Sequence, residues 1–267
     1  MGDSMTEAGI WPARLAEKLQ CNIHCHCKGG LGMLEIVDGG VGAEGNLAPL
    51  SSELVRPMDL IIFYAGYNNR GIPDGIPGEC YSPENNTGIT IAGMMQYCIN
   101  RIYEELRKAE NLSCRLLIVT PHCAGRYPYI DADGYGEFPA GTGRTMESLS
   151  GRMKEVAQRN NIAVCDLWHN SGINKYTWSI YGACREEANE NYSPFLLDPL
   201  GNPVSMERVS YERGKTYYQK RNGAVVLEEY TDITPYPYNG DQLHCSREGY
   251  YLIGDLIAGV VKKMFGE

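Results

Sequence analysis

Leu60-Ile61-Ile62-Phe63-Tyr64 is an unbroken apolar run. A strand with one wet face alternates apolar and polar residues. A run without alternation is expected where both faces of a sheet are covered, as in parallel sheets packed between helices. The flanking segments agree. Trp11 to Gln20 reads as a helix, with Pro12 tolerated in its opening turn. Cys21 to Val37 holds one or two short strands broken by Gly29-Gly30, and Leu47 to Val55 is a short helix. Gly71 to Thr90 is a Pro/Gly/Asn-rich loop. Met94, Met95, Cys98, Ile102 and Leu106 repeat at helical spacing, which predicts a helix over Ile91 to Glu110. Leu116 to Thr120 is a strand, Arg144 to Arg159 a helix, and Ile162 to Leu167 a strand. Ser246 caps a last helix that ends in Lys262-Lys263, where the helix dipole favours cations. Strands alternating with helices predict a three-layer α/β/α, flavodoxin-like fold with a mainly parallel sheet.

The 267 residues fit one domain. About 171–240 breaks the rhythm. Arg221-Asn222-Gly223 lies between tyrosine- and valine-bearing runs, a hairpin signal, and Asp198-Pro199-Leu200-Gly201-Asn202 is a second turn. Nine of the nineteen tyrosines fall here. The expectation is a single domain, 1–267, with a partly β insertion at about 171–240.

Two short blocks carry candidate chemistry. Gly2-Asp3-Ser4 stands near one end and Asp241-Gln242-Leu243-His244 near the other. Serine is a poor nucleophile at neutral pH unless a base takes its proton, and the base needs a third group to fix its tautomer. Ser4, His244 and Asp241 supply one of each, in the chain order nucleophile, acid, base. Between them lie Asp38-Gly39-Gly40-Val41-Gly42-Ala43-Glu44 and Gly66-Tyr67-Asn68-Asn69.

These four stretches, in this order, resemble the SGNH (GDSL-type) hydrolase family. The resemblance covers residues 2 to about 170 and Asp241 to the end. Asn69 stands where the family usually has Asp, and Ala43 where it has Gly. The resemblance implies serine-dependent hydrolysis of carboxylic esters through an acyl-enzyme, with no metal or organic cofactor. Ser4, Asp241 and His244 would be catalytic. The backbone N–H groups of Ser4 and Ala43 and the side-chain amide of Asn68 would form the oxyanion hole. Tyrosine-rich loops suit flat sugar faces, which favours a small-molecule or carbohydrate O-acyl ester such as an acetyl ester.

Other readings are weaker. Gly40-Val41-Gly42-Ala43-Glu44-Gly45 matches the Gly-x-Gly-x-x-Gly fingerprint and gives the alternative, a nucleotide- or phosphate-binding domain without hydrolysis. The acid that fold needs at the end of the next strand is absent, because Asp59 begins that strand. Gly214-Lys215-Thr216 lacks the first glycine of a phosphate loop. His24 and His26 alternate with Cys25 and Cys27, which puts imidazoles and thiols on opposite faces and argues against a zinc site. His122 and His169 follow strand ends, which makes them candidates to line the cleft, and neither is read here as having an acid partner at Asp-x-x-His spacing.

Net charge −9 and a pI near 5.2 disfavour nucleic acid as a partner. No apolar run reaches the roughly eighteen residues of a transmembrane helix. Ten scattered cysteines, several inside apolar segments, favour reduced thiols and a cytoplasmic setting over a disulfide framework, although an upstream leader would be invisible. Finally, the family's Gly-Asp-Ser block follows a buried central strand, commonly in sheet order 2-1-3-4-5. Only Met1 precedes Gly2 here, so the first strand reads as truncated. Either the natural chain begins upstream, or another segment, with Cys21 to Cys27 the candidate, fills the slot beside Tyr64.

Overall fold

The computed structural model describes residues 1–42, 45–123, 144–174, 177, 181, 195–197, 203–212, 215–220, 228–229 and 243–266, the strands from 195 to 229 as backbone only. The chain forms two compact units. The first comprises Met1–His122, Glu137–Ser171 and Tyr251–Glu267; the second comprises Cys123–Gly136 and Gly172–Tyr250.

In the first unit, β3 (Leu60–Tyr64), β4 (Arg115–Val119) and β5 (Ala163–Cys165) form a parallel sheet in that order. Leu117, Ile118 and Val119 are fully buried, as the unbroken apolar runs require. Helices pack on both faces. Tyr64 meets Trp11 of α2 (Ile10–Leu19) edge-on at 5.9 Å. The Arg14 guanidinium of α2 pairs with Asp255 of α8 (Arg247–Phe265) at 2.7 Å. The other layer joins α3 (Met33–Asp38), α4 (Ser52–Val55), α5 (Ile91–Lys108) and α6 (Met146–Arg159). Thr90, Thr145 and Ser51 each cap a helix by accepting from a backbone N–H. Ser246 caps α8 as expected, accepting from Gly249 N–H at 3.1 Å.

Three expectations are corrected. Leu34–Val37 is helical, within α3: Met33, Ile36 and Val37 are buried at helical spacing, and the Asn69 carboxamide accepts from Met33 N–H. The strand expected over Ile162–Leu167 stops at Cys165, because Asp166 caps the short helix α7 (Leu167–Asn170). Cys21–Cys27 forms no strand beyond one bridge, Cys27 to Gly2.

That bridge resolves the central slot. Gly2 pairs in parallel with Cys27 on one side and Tyr64 on the other. Gly2 N–H donates to His26 C=O, and Lys28 N–H to Gly2 C=O. Tyr64 N–H donates to Met1 C=O at 3.0 Å, and the Met1 nitrogen to Ile62 C=O at 2.7 Å. The lateral order from the Cys27 segment through Gly2, β3 and β4 to β5 is therefore 2-1-3-4-5. Met1 and Gly2 stand in the inner position beside Tyr64, and Cys21–Cys27 does not take it.

Two further strands, β1 (Gly40–Gly42) and β2 (Gly45–Leu47), pair antiparallel. In the second unit β6 (Phe195–Leu197), β7 (Pro203–Glu212), β8 (Lys215–Lys220) and β9 (Glu228–Glu229) form an antiparallel sheet in sequence order. β8 and β9 flank the Asn222-Gly223 signal, which itself lies outside the described residues, as does 198–202 between β6 and β7. A register shift between Arg208 and Ser210 marks an irregularity in β7.

Candidate active site

Ser4 is the first residue of a short helix, α1 (Ser4–Glu7), at the carboxyl end of the inner strand position. Ligands of open α/β sheets bind at this edge, where neighbouring connections diverge. Asp3 holds the turn: its carboxylate is buried and accepts from Met5 N–H at 3.0 Å. Glu7 ties the other end of α1 to the loop beside it. Its carboxylate takes Lys28 Nζ at 2.6 Å and Gly29 N–H at 2.7 Å. The Lys28 bond, against a smaller opposing effect of burial, holds the Glu7 carboxyl below its usual value.

The loop 28–32 gathers three of the sequence blocks. A Cβ on Gly29 would lie 3.5 Å from Ser4 Cβ, so the loop runs beside the serine. A Cβ on Gly42 would meet Gly29 C=O at 2.6 Å, which brings the β1–β2 hairpin against the same loop. Asn68 follows β3 on a 3₁₀ turn, Tyr67–Asn69, and donates its amide to Leu31 C=O at 2.9 Å. One amide hydrogen is used there; the second is left for another acceptor. Asn68 is exposed while Asn69 is buried. Asn69 uses both ends of its carboxamide: the oxygen accepts from Met33 N–H at 3.0 Å, and the nitrogen reaches Met94 Sδ at 3.9 Å. An aspartate could not donate to that sulfur.

Ala43 and Asp241 lie outside the described residues. His244 belongs to the second unit, two residues ahead of the Ser246 cap. The Gly-rich motif falls on β1 and β2, which pair antiparallel, with strand β2 where a dinucleotide fold would begin a helix. It therefore lacks the helix N-terminus that would hold a phosphate.

The remaining histidines sort cleanly. His26 is buried, its Nε2 bonded to Ile36 C=O at 3.0 Å, and burial pushes its pKa down. His24 is exposed. His122 is fully buried; its Nδ1 lies 2.7 Å from Tyr64 Oη, and its carbonyl accepts from Tyr67 Oη. It locks the ends of β3 and β4 together and does not line a cleft. The reading that His169 lacks an acid partner is corrected: Asp166 and His169 have the same Asp-x-x-His spacing as Asp241 and His244. Their side chains are bonded, His169 Nδ1 to Asp166 at 2.9 Å, and Lys154 Nζ reaches the same carboxylate at 2.7 Å. Burial opposes ionisation of Asp166, yet the Lys154 and His169 bonds outweigh it and its pKa falls below the ordinary value. Among the described residues no cluster of three or more metal-ligating side chains occurs, Cys21, Cys25, Cys27, Cys80, Cys98, Cys114 and Cys165 are free thiols, and no helix is long and apolar enough to cross a membrane.

No family model matches the chain, and no curated protein matches it. Solved structures do. A possible lipase from Chitinophaga pinensis is 18% identical with a TM-score of 0.52, over 100% of this chain and 97% of that one. A protein from Lactobacillus plantarum is 12% identical with a TM-score of 0.57, over 98% and 94%. At these identities the likeness is one of fold, and it is the α/β fold that the SGNH resemblance implies.

Proposed function

We propose that the protein is a serine-dependent hydrolase of carboxylic esters. Ser4 attacks the ester carbonyl, His244 takes the hydroxyl proton and later returns one to the leaving alcohol, and Asp241 fixes the imidazole. Water then releases the acyl group from Ser4. The observation that carries this reading is the placement of Ser4: first residue of a helix, at the carboxyl edge of the inner strand, with the Asn68 block anchored to the loop beside it. The amides at the start of α1 and the Asn68 side chain are donors suited to an oxyanion. The Ala43 N–H is the third donor in this reading, tolerable at negative φ because alanine keeps its amide. The likeness in fold to a possible lipase supports the same reaction class.

The substrate class we favour is a carbohydrate O-acyl ester, the acetyl ester first. The basis is the tyrosine density of about 171–240, taken as an insertion that selects the alcohol. The chemistry uses side chains and water alone. A fluorophosphonate probe should label Ser4, and Ser4→Ala should abolish both labelling and p-nitrophenyl acetate hydrolysis. His244→Ala should be inactive and His169→Ala active. An active Ser4→Ala, or the reverse pattern for the two histidines, overturns the assignment.

A further inference from the structure

Glu7 ends α1 three residues after Ser4, and its carboxylate turns both oxygens to one neighbouring loop. Lys28 Nζ donates to Oε1 at 2.6 Å, and Gly29 N–H donates to Oε2 at 2.7 Å. α1 needs neither bond for its own backbone. The Asp3 carboxylate accepts from Met5 N–H, Asp3 C=O accepts from Thr6 and Glu7 N–H, and Ser4 C=O accepts from Ala8 N–H. The Glu7 side chain is 33% exposed, so its ion pair with Lys28 adds little to stability. What the contact fixes is position. A Cβ on Gly29 would lie 2.7 Å from Glu7 Oε2 and 3.5 Å from Ser4 Cβ, so carboxylate and serine flank one backbone position.

The clamped turn carries other parts of the site. Leu31 N–H donates to Lys28 C=O at 3.4 Å, which closes the turn 28–31, and Leu31 C=O accepts the Asn68 amide at 2.9 Å. At the start of the turn, Lys28 N–H donates to Gly2 C=O at 3.2 Å. Lys28 also touches β1, since a Cβ on Gly42 would meet its Cγ at 2.5 Å. The turn is thus tied to the inner strand position through Gly2, to Asn68 through Leu31, and to the serine's own helix through Glu7. The pKa of Glu7 is lowered, first by the Lys28 bond, which keeps the carboxyl ionised at neutral pH. An ionised carboxylate holding two donors is an anchor and not a proton carrier.

We propose that Glu7 is a positioning residue: it clamps the 28–31 turn to α1 and so sets where the Asn68 amide stands relative to Ser4. The catalytic value of that placement rests on the ester-hydrolase reading; the clamp itself does not. With the carboxylate gone, Ser4 keeps its helix through Asp3, whereas Leu31 C=O loosens and the Asn68 amide moves with it. The nucleophile survives and the oxyanion support weakens. A displacement approaching 1 Å costs up to ~10² in rate.

Glu7→Ala should lower kcat for p-nitrophenyl acetate by roughly 10–10² at unchanged KM. Glu7→Gln keeps the shape but offers one acceptor oxygen to two donors, so it should fall between Glu7→Ala and the wild type. In an Asn68→Ala background, Glu7→Ala should cost less than about threefold, because Glu7 acts through Asn68. Independently of turnover, NMR of Glu7→Ala should show the Gly29 N–H shifted upfield on losing a charged acceptor, and the Asn68 side-chain amide shifted with it. Unchanged kcat, a change in KM alone, a fully additive loss in the double variant, or unmoved Gly29 and Asn68 signals each overturns the proposal. If Glu7→Ala does not fold, Glu7→Gln carries the same comparisons. A wild-type protein that neither hydrolyses the ester nor labels at Ser4 overturns the ester reading alone, and the NMR comparison then decides the clamp.

Discussion

Replacing Gly2 by alanine introduces a methyl group for which the structure has no room. The added Cβ would stand 2.1 Å from Thr6 Oγ1 and 2.5 Å from Tyr64 C=O. The hydroxyl belongs to a buried side chain, and the carbonyl is main chain of the neighbouring strand. Rotating Thr6 relieves the first contact only. The second requires Gly2 to retreat from β3 by about 0.5 Å, judged against the 3.0 Å that Cβ atoms tolerate. Overpacking of this kind costs ~1–3 kcal/mol. At roughly 2–4 °C per kcal/mol for a domain of this size, Tm should fall by about 2–12 °C. Ser4 is two residues on, so its hydroxyl moves with the strand, and a misplacement approaching 1 Å costs up to ~10² in rate. Thermal unfolding and p-nitrophenyl acetate turnover, measured on Gly2→Ala with and without Thr6→Ala, separate the two contacts. The double variant should recover only part of the loss, because the Tyr64 carbonyl remains. Wild-type stability and activity in Gly2→Ala would refute the placement of Gly2 between Cys27 and Tyr64.

Three further perturbations test the neighbouring elements. As the oxyanion donor we propose, Asn68 is needed where charge develops in the transition state, so Asn68→Ala should lower kcat by roughly 10²–10³ with KM little changed; an equal rise in KM at constant kcat would mark it as a binding residue. Asn69→Leu strands Met33 N–H at the start of α3 and should cost ~1–3 kcal/mol in chemical denaturation, whereas no loss would show that water replaces the bond. Asp166 has a lowered pKa in the folded protein, so it contributes stability above about pH 4 that disappears as pH falls through its folded value. Lys154→Met removes the 2.7 Å ion pair, raises that value, and should move the onset of acid unfolding to higher pH, with an unmoved Asp166 titration by NMR the contrary result.

The elements that the sequence made legible are those whose pattern is local. The unbroken runs became β3 and β4, and the helical repeats became α5, α6 and α8 within a residue or two of their expected ends. Leu34–Val37 misled because a short apolar run fits strand and helix equally. Asn69, 36 residues from Met33, supplies the capping bond that favours the helix. Cys21–Cys27 has strand-like alternation but meets a partner only at Cys27, where Gly2 reaches it. In the site, the order of the four blocks was readable, whereas the loop 28–32 that gathers Ser4, Gly42 and Asn68 was not. Its role rests on Gly29 and Gly42 packing closely against their neighbours and on one carbonyl, Leu31, that no motif names. The Asp166 and His169 pair was visible as a spacing, but the Lys154 bond that orders it depends on how α6 lies against β5.

The pairing of Arg14 with Asp255 has a consequence for synthesis. The two residues are 241 positions apart in sequence. At ~5–20 residues per second, a ribosome needs roughly 10 to 50 s to travel between them. Throughout that interval the apolar side of α2, with Trp11 and Leu15, has no α8 to cover it. Most of the second unit is continuous in sequence, from Gly172 to Tyr250, and is translated before α8 is complete. The first unit is thus begun first and finished last. Such long-range closure slows folding and prolongs exposure of α2 to chaperones on the nascent chain.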